Sequence, residues 1–257
     1  MIRAENLFHH YSVRPVLRDV TFTVPKGELV TVVGPNGMGK STLLSVLAGT
    51  LAPIEGTVEI DGLRRRASND IEREVRRRVY YLPDQPWLPE LRTGREFLVA
   101  VGQIYDVPHQ RLFDHLERLL ALFELDRHGD QTISGYSNGQ KHKLALAGAL
   151  VSEAPVLLLD EPFGGGLDPA GIVALKRVLQ DLTARQAATL VITTPVPALV
   201  AEVATRVLVL RDGRLAAYAT PAELCAQAGC DTLEEALQRL VFPETIENLN
   251  RYFEGWG

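Results

Sequence analysis

Leu29-Val30-Thr31-Val32-Val33 runs straight into Gly34-Pro35-Asn36-Gly37-Met38-Gly39-Lys40-Ser41, and Leu43, Leu44, Val46, Leu47 and Ala48 follow before Gly49. The first five residues are β-branched or apolar without interruption, the pattern of a strand buried on both faces; the last set is spaced as a helix that Gly49 ends. The stretch between them satisfies G-x-x-x-x-G-K-[ST] in the strand-to-helix setting that the motif requires. Glycines at 34, 37 and 39 free the backbone so that successive amide hydrogens converge on phosphate oxygens, and the helix beginning near Lys40 adds the positive end of its dipole. Lys40 supplies a mobile charge for the terminal phosphates, and Ser41 a hydroxyl placed to ligate magnesium.

A second strand carries the complementary chemistry. Val156-Leu157-Leu158-Leu159 is short and wholly apolar, and Asp160 and Glu161 follow at its end. Consecutive carboxylates there suit a magnesium shell, held by Asp160, and a general base for the attacking water, Glu161. Thr189 to Thr193 reads as the next strand. Ile172, Leu175, Val178, Leu179 and Leu182 mark an amphipathic helix between the two, so the unit is strand, helix, strand in a parallel sheet.

Val20-Thr21-Phe22-Thr23-Val24 alternates as a half-exposed strand, and Thr57 to Ile60 before Asp61-Gly62 is a strand and turn. Arg206 to Leu210 and Arg214 to Tyr218 flank the hairpin signal Asp212-Gly213. From about Leu88 to Leu150 the pattern is helical, and Phe113, Leu116, Leu119, Leu120 and Phe123 share one expected buried face. Thr220-Pro221-Ala222-Glu223 and Thr232-Leu233-Glu234-Glu235 both have capping-box form.

The 257 residues suffice for one large or two small domains, and 46% hydrophobic with 23% charged residues is the balance of an ordinary globular chain. Lys plus Arg numbers 27 against 32 for Asp plus Glu, a formal charge of -5, so no global field favours a nucleic-acid partner. Residues 64–78 hold seven arginines interleaved with Asp70, Glu72 and Glu74, and a solvated, salt-bridged helical face is expected there. Cys225 and Cys230 are too few for a disulfide framework, which predicts a reducing compartment, and the pair reads as packing. His9 and His10 read as surface residues beside Tyr11. Met1 to Asn6 predicts no secretory leader, and no apolar run approaches the about 18 residues of a spanning helix. Any membrane role must come through a partner.

Tyr136-Ser137-Asn138-Gly139-Gln140 lies between the helical stretch and the carboxylate strand, with Ser137 23 residues before Asp160. Together with the phosphate loop, it makes roughly residues 2–218 resemble the nucleotide-binding subunit of ATP-binding-cassette (ABC) transporters. Asn138 stands where that family's signature peptide usually has a second glycine. The resemblance implies an α/β, P-loop NTPase cassette: a RecA-like parallel-sheet core, an N-terminal antiparallel β subdomain and an inserted helical subdomain over about residues 88–150. The cassette would span 1–218, with a C-terminal helical tail over 219–257.

The same resemblance implies ATP and Mg2+ as cofactors. Gly34, Pro35, Asn36, Gly37, Met38, Gly39, Lys40, Ser41 and Thr42 would surround the phosphates, with Ser41, Asp160 and Gln85 at magnesium. Glu161, Gln85 and Lys40 would be catalytic, and Tyr11 an aromatic platform for adenine. An ordinary strand-edge tyrosine and a surface-loop glutamine are the alternatives for Tyr11 and Gln85. Cassettes of the family stack head to tail. Ser137, Asn138, Gly139, Gln140 and Asp168 would therefore face ATP held by the partner cassette, the helix starting near Gln140 adding its dipole. The implied partners are separately encoded transmembrane permease subunits and a second cassette, identical or different, with no nucleic acid. Residues 93–108 look most like export-type (ABC-2) cassettes, which implies a cytoplasmic protein held peripherally at the cell membrane by its permease.

Two features depart from the family's pattern. The histidine usual after the strand that follows the carboxylates falls on Pro195 in Thr193-Thr194-Pro195-Val196-Pro197, and proline offers neither a side-chain donor nor an amide hydrogen. Removing one transition-state donor typically lowers stabilisation by about 2.7–4 kcal/mol, ~100- to 1000-fold in rate. The loop from Glu161 to Asp168 is one residue longer than usual, and Gly164, Gly165 and Gly166 make it unusually free. The expectation is an ATPase, coupled to transport, that binds MgATP and turns over slowly. The alternative is an ATP-gated dimerising regulatory module, or degenerate cassette, with little hydrolysis.

Overall fold

The computed structural model describes residues 1–241 and 251–253. An antiparallel sheet is built from β1 (Ile2–His10), β2 (Pro15–Val24), β4 (Glu55–Ile60) and β5 (Leu63–Arg64), in the order β2-β1-β4-β5. A second sheet holds β3 (Leu29–Val33), β6 (Val79–Leu82), β7 (Val156–Leu159), β8 (Thr189–Thr193), β9 (Arg206–Arg211) and β10 (Arg214–Ala219), in the order β10-β9-β3-β8-β7-β6. Pairing is parallel from β9 through to β6, and β10 closes one edge antiparallel.

Burial follows the sequence pattern. β2 buries Val20, Phe22 and Val24 and exposes Thr21 and Thr23, so one face is covered; β3, β7 and β8 are buried throughout, because helices and the first sheet cover both faces. The first helix, α1 (Lys40–Ala48), ends at Gly49 with φ 77°. α2 (Asn69–Arg78) follows the antiparallel sheet. α3 (Gly94–Ile104), α4 (His109–Leu122) and α5 (Asn138–Val151) form an insert between β6 and β7. α6 (Pro169–Ala184) crosses from β7 to β8, which pair in parallel as expected. After α7 (Pro197–Val203) and the β9-β10 hairpin come α8 (Pro221–Ala228) and α9 (Leu233–Val241). Leu224, Leu233, Leu237 and Val241 pack on Val33, Val207 and Val209, so these last helices cover the sheet rather than hang from it. Both bonds of the Thr220–Glu223 capping box form, and Thr232 Oγ1 accepts from the Glu235 amide at 3.3 Å.

Several expectations are corrected. Phe113 is 44% exposed: the buried stripe of α4 is Leu112, Leu116, Leu119 and Leu120, and Phe113 lies about 100° round the helix from Leu112. Inside the stretch read as helical from about Leu88, the first helix begins at Gly94, where Thr93 and Glu96 close a capping box. α5 begins at Asn138, near Gln140 as expected, with Ser137 and Gln140 closing a capping box. Within the arginine-rich run Arg65 is buried, its Nε donating to Leu47 O at 2.7 Å and its guanidinium paired with Glu72, while Arg64, Arg66 and, on α2, Arg73, Arg76 and Arg77 are exposed. His9 is buried, since the alternation of β1 turns it inward edge-on to Tyr11, while His10 is exposed. The part of the expected helical tail at 242–250 and 254–257 lies outside the described residues.

Candidate functional site

Parallel register brings the chemistry together. Val32 pairs with Thr193, and Leu159 with Ile192, so the chain leaves β3, β7 and β8 side by side at the carboxyl-terminal edge of the parallel strands. That edge carries the phosphate loop, Asp160–Glu161 and the Thr194–Pro195 turn. Lys40 is buried, and its Nζ donates to Gly34 O at 2.9 Å and Pro35 O at 3.1 Å, folding the ammonium back over the loop. Burial pushes this ammonium below the ordinary lysine value, against the pull of Glu161 and then Asp160. Gly39 has φ 95°, and a Cβ there would stand 2.7 Å from Val16 O, so only glycine fits this turn against β2. Ser41 is exposed on the first turn of α1. Tyr11, 66% exposed, brings its Oη to 3.3 Å from Thr42 Oγ1, which sets an open aromatic ring beside the loop.

Thr193 ties the two carboxylates to β8. Its hydroxyl donates to Asp160 Oδ1 at 2.6 Å and accepts from the Glu161 amide at 2.7 Å, and it is fully buried. The Asp160 amide donates to Leu82 O at 2.8 Å, fixing the carboxylate-bearing turn to β6 as well. Glu161 adopts φ 50°, a left-handed conformation that few non-glycine residues take. Burial first, then Asp84 and Asp160, raise its carboxyl above the ordinary range, with Lys40 opposing; the carboxylate is a stronger base for it. Gln85 lies in the exposed segment after β6, next to Asp84, and no hydrogen bond joins it to Asp160 or Ser41 among the described residues. Pro195 is exposed and offers neither a side-chain donor nor an amide hydrogen, and the Thr194 hydroxyl beside it accepts from the Val196 amide at 3.2 Å.

The signature peptide stands apart. Ser137 caps α5: its Oγ accepts from the Gln140 amide at 3.2 Å while Gln140 Oε1 accepts from the Ser137 amide at 2.9 Å. Ser137 and Asn138 are exposed, and no hydrogen bond or ion pair links this helix start to the phosphate loop among the described residues. Gly139 packs against the glycine loop, where a Cβ would fall 2.8 Å from Gly166 O. That loop is not free, contrary to expectation. Turn bonds run from Gly164 N to Glu161 O and from Leu167 N to Gly164 O, and His142 packs under Gly165. Asp168 caps α6 through the Gly171 amide at 2.8 Å and pairs with Lys143 Nζ at 2.7 Å; that lysine first, then the amide, holds its carboxyl below the ordinary range.

Thr193, Asp84 and Lys143 escape a reading by motif. For Thr193 the signal was a hydroxyl ending an apolar strand; for the other two, sequence carries none. The donor set suits magnesium: the Ser41 hydroxyl and Asp160 carboxylate are hard oxygen ligands. The described residues hold no cluster of three or more His, Cys, Asp or Glu that could bind a metal ion.

Residues 17–164 match the ABC transporter family. Over 257 residues the chain is 34% identical to the energy-coupling factor transporter ATP-binding protein EcfA of Methanothermobacter thermautotrophicus, covering 98% of this chain and 79% of that protein. It is 34% identical over 227 residues to the Nod factor export ATP-binding protein I of Paraburkholderia xenovorans, covering 87% of this chain and 72% of that one. A solved dimeric bacterial ABC transporter cassette is similar at TM-score 0.76 and 26% identity, covering 86% of this chain and 98% of the other.

Proposed function

The chain belongs to the ABC transporter family as an ATP-binding subunit, and on that premise we propose that it hydrolyses MgATP between two stacked cassettes to drive an export-type permease. One observation carries this reading. Lys40, Asp160 and Glu161 gather around the phosphate loop, while Ser137 and Gly139 open an exposed helix start that no bond joins to that loop. A chain built in this way needs a second cassette to complete its site. Bound magnesium neutralises phosphate charge, and Ser41 and Asp160 are the residues that would hold it. Lys40 holds the terminal phosphates, Tyr11 offers its ring to the base, and Glu161 takes the proton of the attacking water. Across the interface, the Ser137 hydroxyl and the α5 amides receive the γ-phosphate of the partner's nucleotide.

The export assignment is supported by residues 93–108 and by the Nod factor export relative. A second reading, an ATP-gated dimer with little turnover, is favoured by Pro195, which has no donor of its own where the family usually has a histidine. The test is MgATPase of the purified chain beside Glu161→Gln, with sedimentation in the presence of ATP. Turnover lost in the variant supports the ATPase; ATP-dependent dimers with no turnover in the unaltered chain support the second reading. No helix among the described residues is long and apolar enough to cross a membrane.

A further inference from the structure

At the opposite end of the parallel strands from the phosphate loop, a cleft of about 730 Å³ opens between the helical insert and the core. Its walls are Leu119 and Leu122 of α4, Leu150 of α5, and Val178 and Leu182 of α6, an apolar lining that continues to Leu157. The volume falls in the range of about 300–1,000 Å³ typical of small-molecule sites. Charge at the rim is unequal. Glu153 is paired with Arg111, with the His115 ring Nδ1 3.2 Å away, and Asp181 with Arg185 at 2.9 Å. Arg185 is also the C-cap of α6, where its charge offsets the partial negative charge of that helix end.

Two arginines of the rim remain. Arg118 uses only its Nε, on Asp114 O at 3.0 Å, and Arg177 makes no hydrogen bond or ion pair among the described residues. An apolar slot lined by two guanidinium groups that keep unused N–H donors matches a molecule with a hydrocarbon body and a carboxylate head: burial favours the body, and the guanidinium groups bind the head. We propose that this cleft is a binding site for an amphipathic organic carboxylate, separate from the nucleotide site. The occupant touches α4 and α5 of the insert and α6 of the core at once, so it bridges the two.

The probe is decanoate, titrated into the full chain by calorimetry below its micelle-forming concentration, with decyltrimethylammonium and decanol as the cationic and neutral counterparts. Decanoate is expected to bind saturably, without displacement by MgATP, and more tightly than either counterpart. Arg118→Ala combined with Arg177→Ala changes exposed positions outside the nucleotide site; it is expected to weaken decanoate at least tenfold with an unchanged thermal melt, whereas Arg73→Ala leaves affinity unaltered. The proposal is overturned by any of four results: no saturable binding, equal binding of the cation or the alcohol, displacement by MgATP, or an undiminished affinity in the double variant.

Discussion

Replacing Thr193 by valine keeps the shape of a fully buried side chain and deletes only its hydroxyl, which makes it the sharpest probe of how the carboxylates are held. The hydroxyl bond to Asp160 Oδ1, at 2.6 Å, is charge-assisted and contributes about 1.5–3 kcal/mol. The Glu161 amide, now at 2.7 Å from the hydroxyl oxygen, would lose its acceptor, adding about 1 kcal/mol. The expected destabilisation is about 3 kcal/mol. In a chain of this size each kcal/mol lowers the melting temperature by about 2–4 °C, so a fall of about 6–12 °C is predicted. Thr193→Ser retains both bonds and removes one methyl group, at about 1 kcal/mol. Thermal melts and urea titrations of the three proteins separate bonding from packing, and MgATPase assays are expected to rank them in the same order, since Asp160 and Glu161 are placed through this one oxygen. A valine variant as stable as the serine variant would refute the reasoning.

Three further outcomes are expected. Because the Glu161 carboxyl is raised, the folded chain favours its protonated form; that stability is complete below the ordinary glutamate pKa and is lost as pH rises through the raised one. Glu161→Gln should therefore melt higher than the unaltered chain near pH 8, with the gap closing toward about pH 4 in a pH series of melts. Asp168 is the opposite case: its lowered carboxyl contributes stability above the ordinary aspartate pKa that is lost as pH falls through the lowered one, so Asp168→Ala, about 1 kcal/mol less stable at neutral pH by loss of the cap, should converge with the unaltered chain in acid denaturation. Pro195→His restores a donor at the end of β8 and is expected to raise kcat of MgATPase by ~100-fold; an unchanged rate would show that this turn does not limit hydrolysis.

Much of this protein can be read from short range in the chain. The β-branched run at 29–33, the glycines at 34, 37 and 39 and the Lys40-Ser41 pair specify strand, loop and helix within a few residues of one another, and the local backbone bears them out. Alternation in β2, the Asp212-Gly213 hairpin and the caps at Thr220 and Thr232 were equally local. Faces were harder. Phe113 and Leu112 are neighbours on an amphipathic helix, and only packing against α5 and α3 decides which turns inward. His9 and Arg65 look polar and therefore exposed, yet strand alternation and a paired Glu72 bury them.

Sequence by itself determined the inventory of the site: a phosphate loop, two carboxylates at a strand end and a capped signature helix, each specified by residues adjacent along the chain. Tertiary structure decided which of them meet. The parallel order of β3, β8 and β7 sets the loop, Thr193 and Asp160 at one edge, across gaps of more than a hundred residues in places, and Lys143 reaches Asp168 from another helix to hold a loop whose glycines alone would leave it loose. Those pairings arise from sheet register and from side chains crossing between elements, and no local preference encodes either.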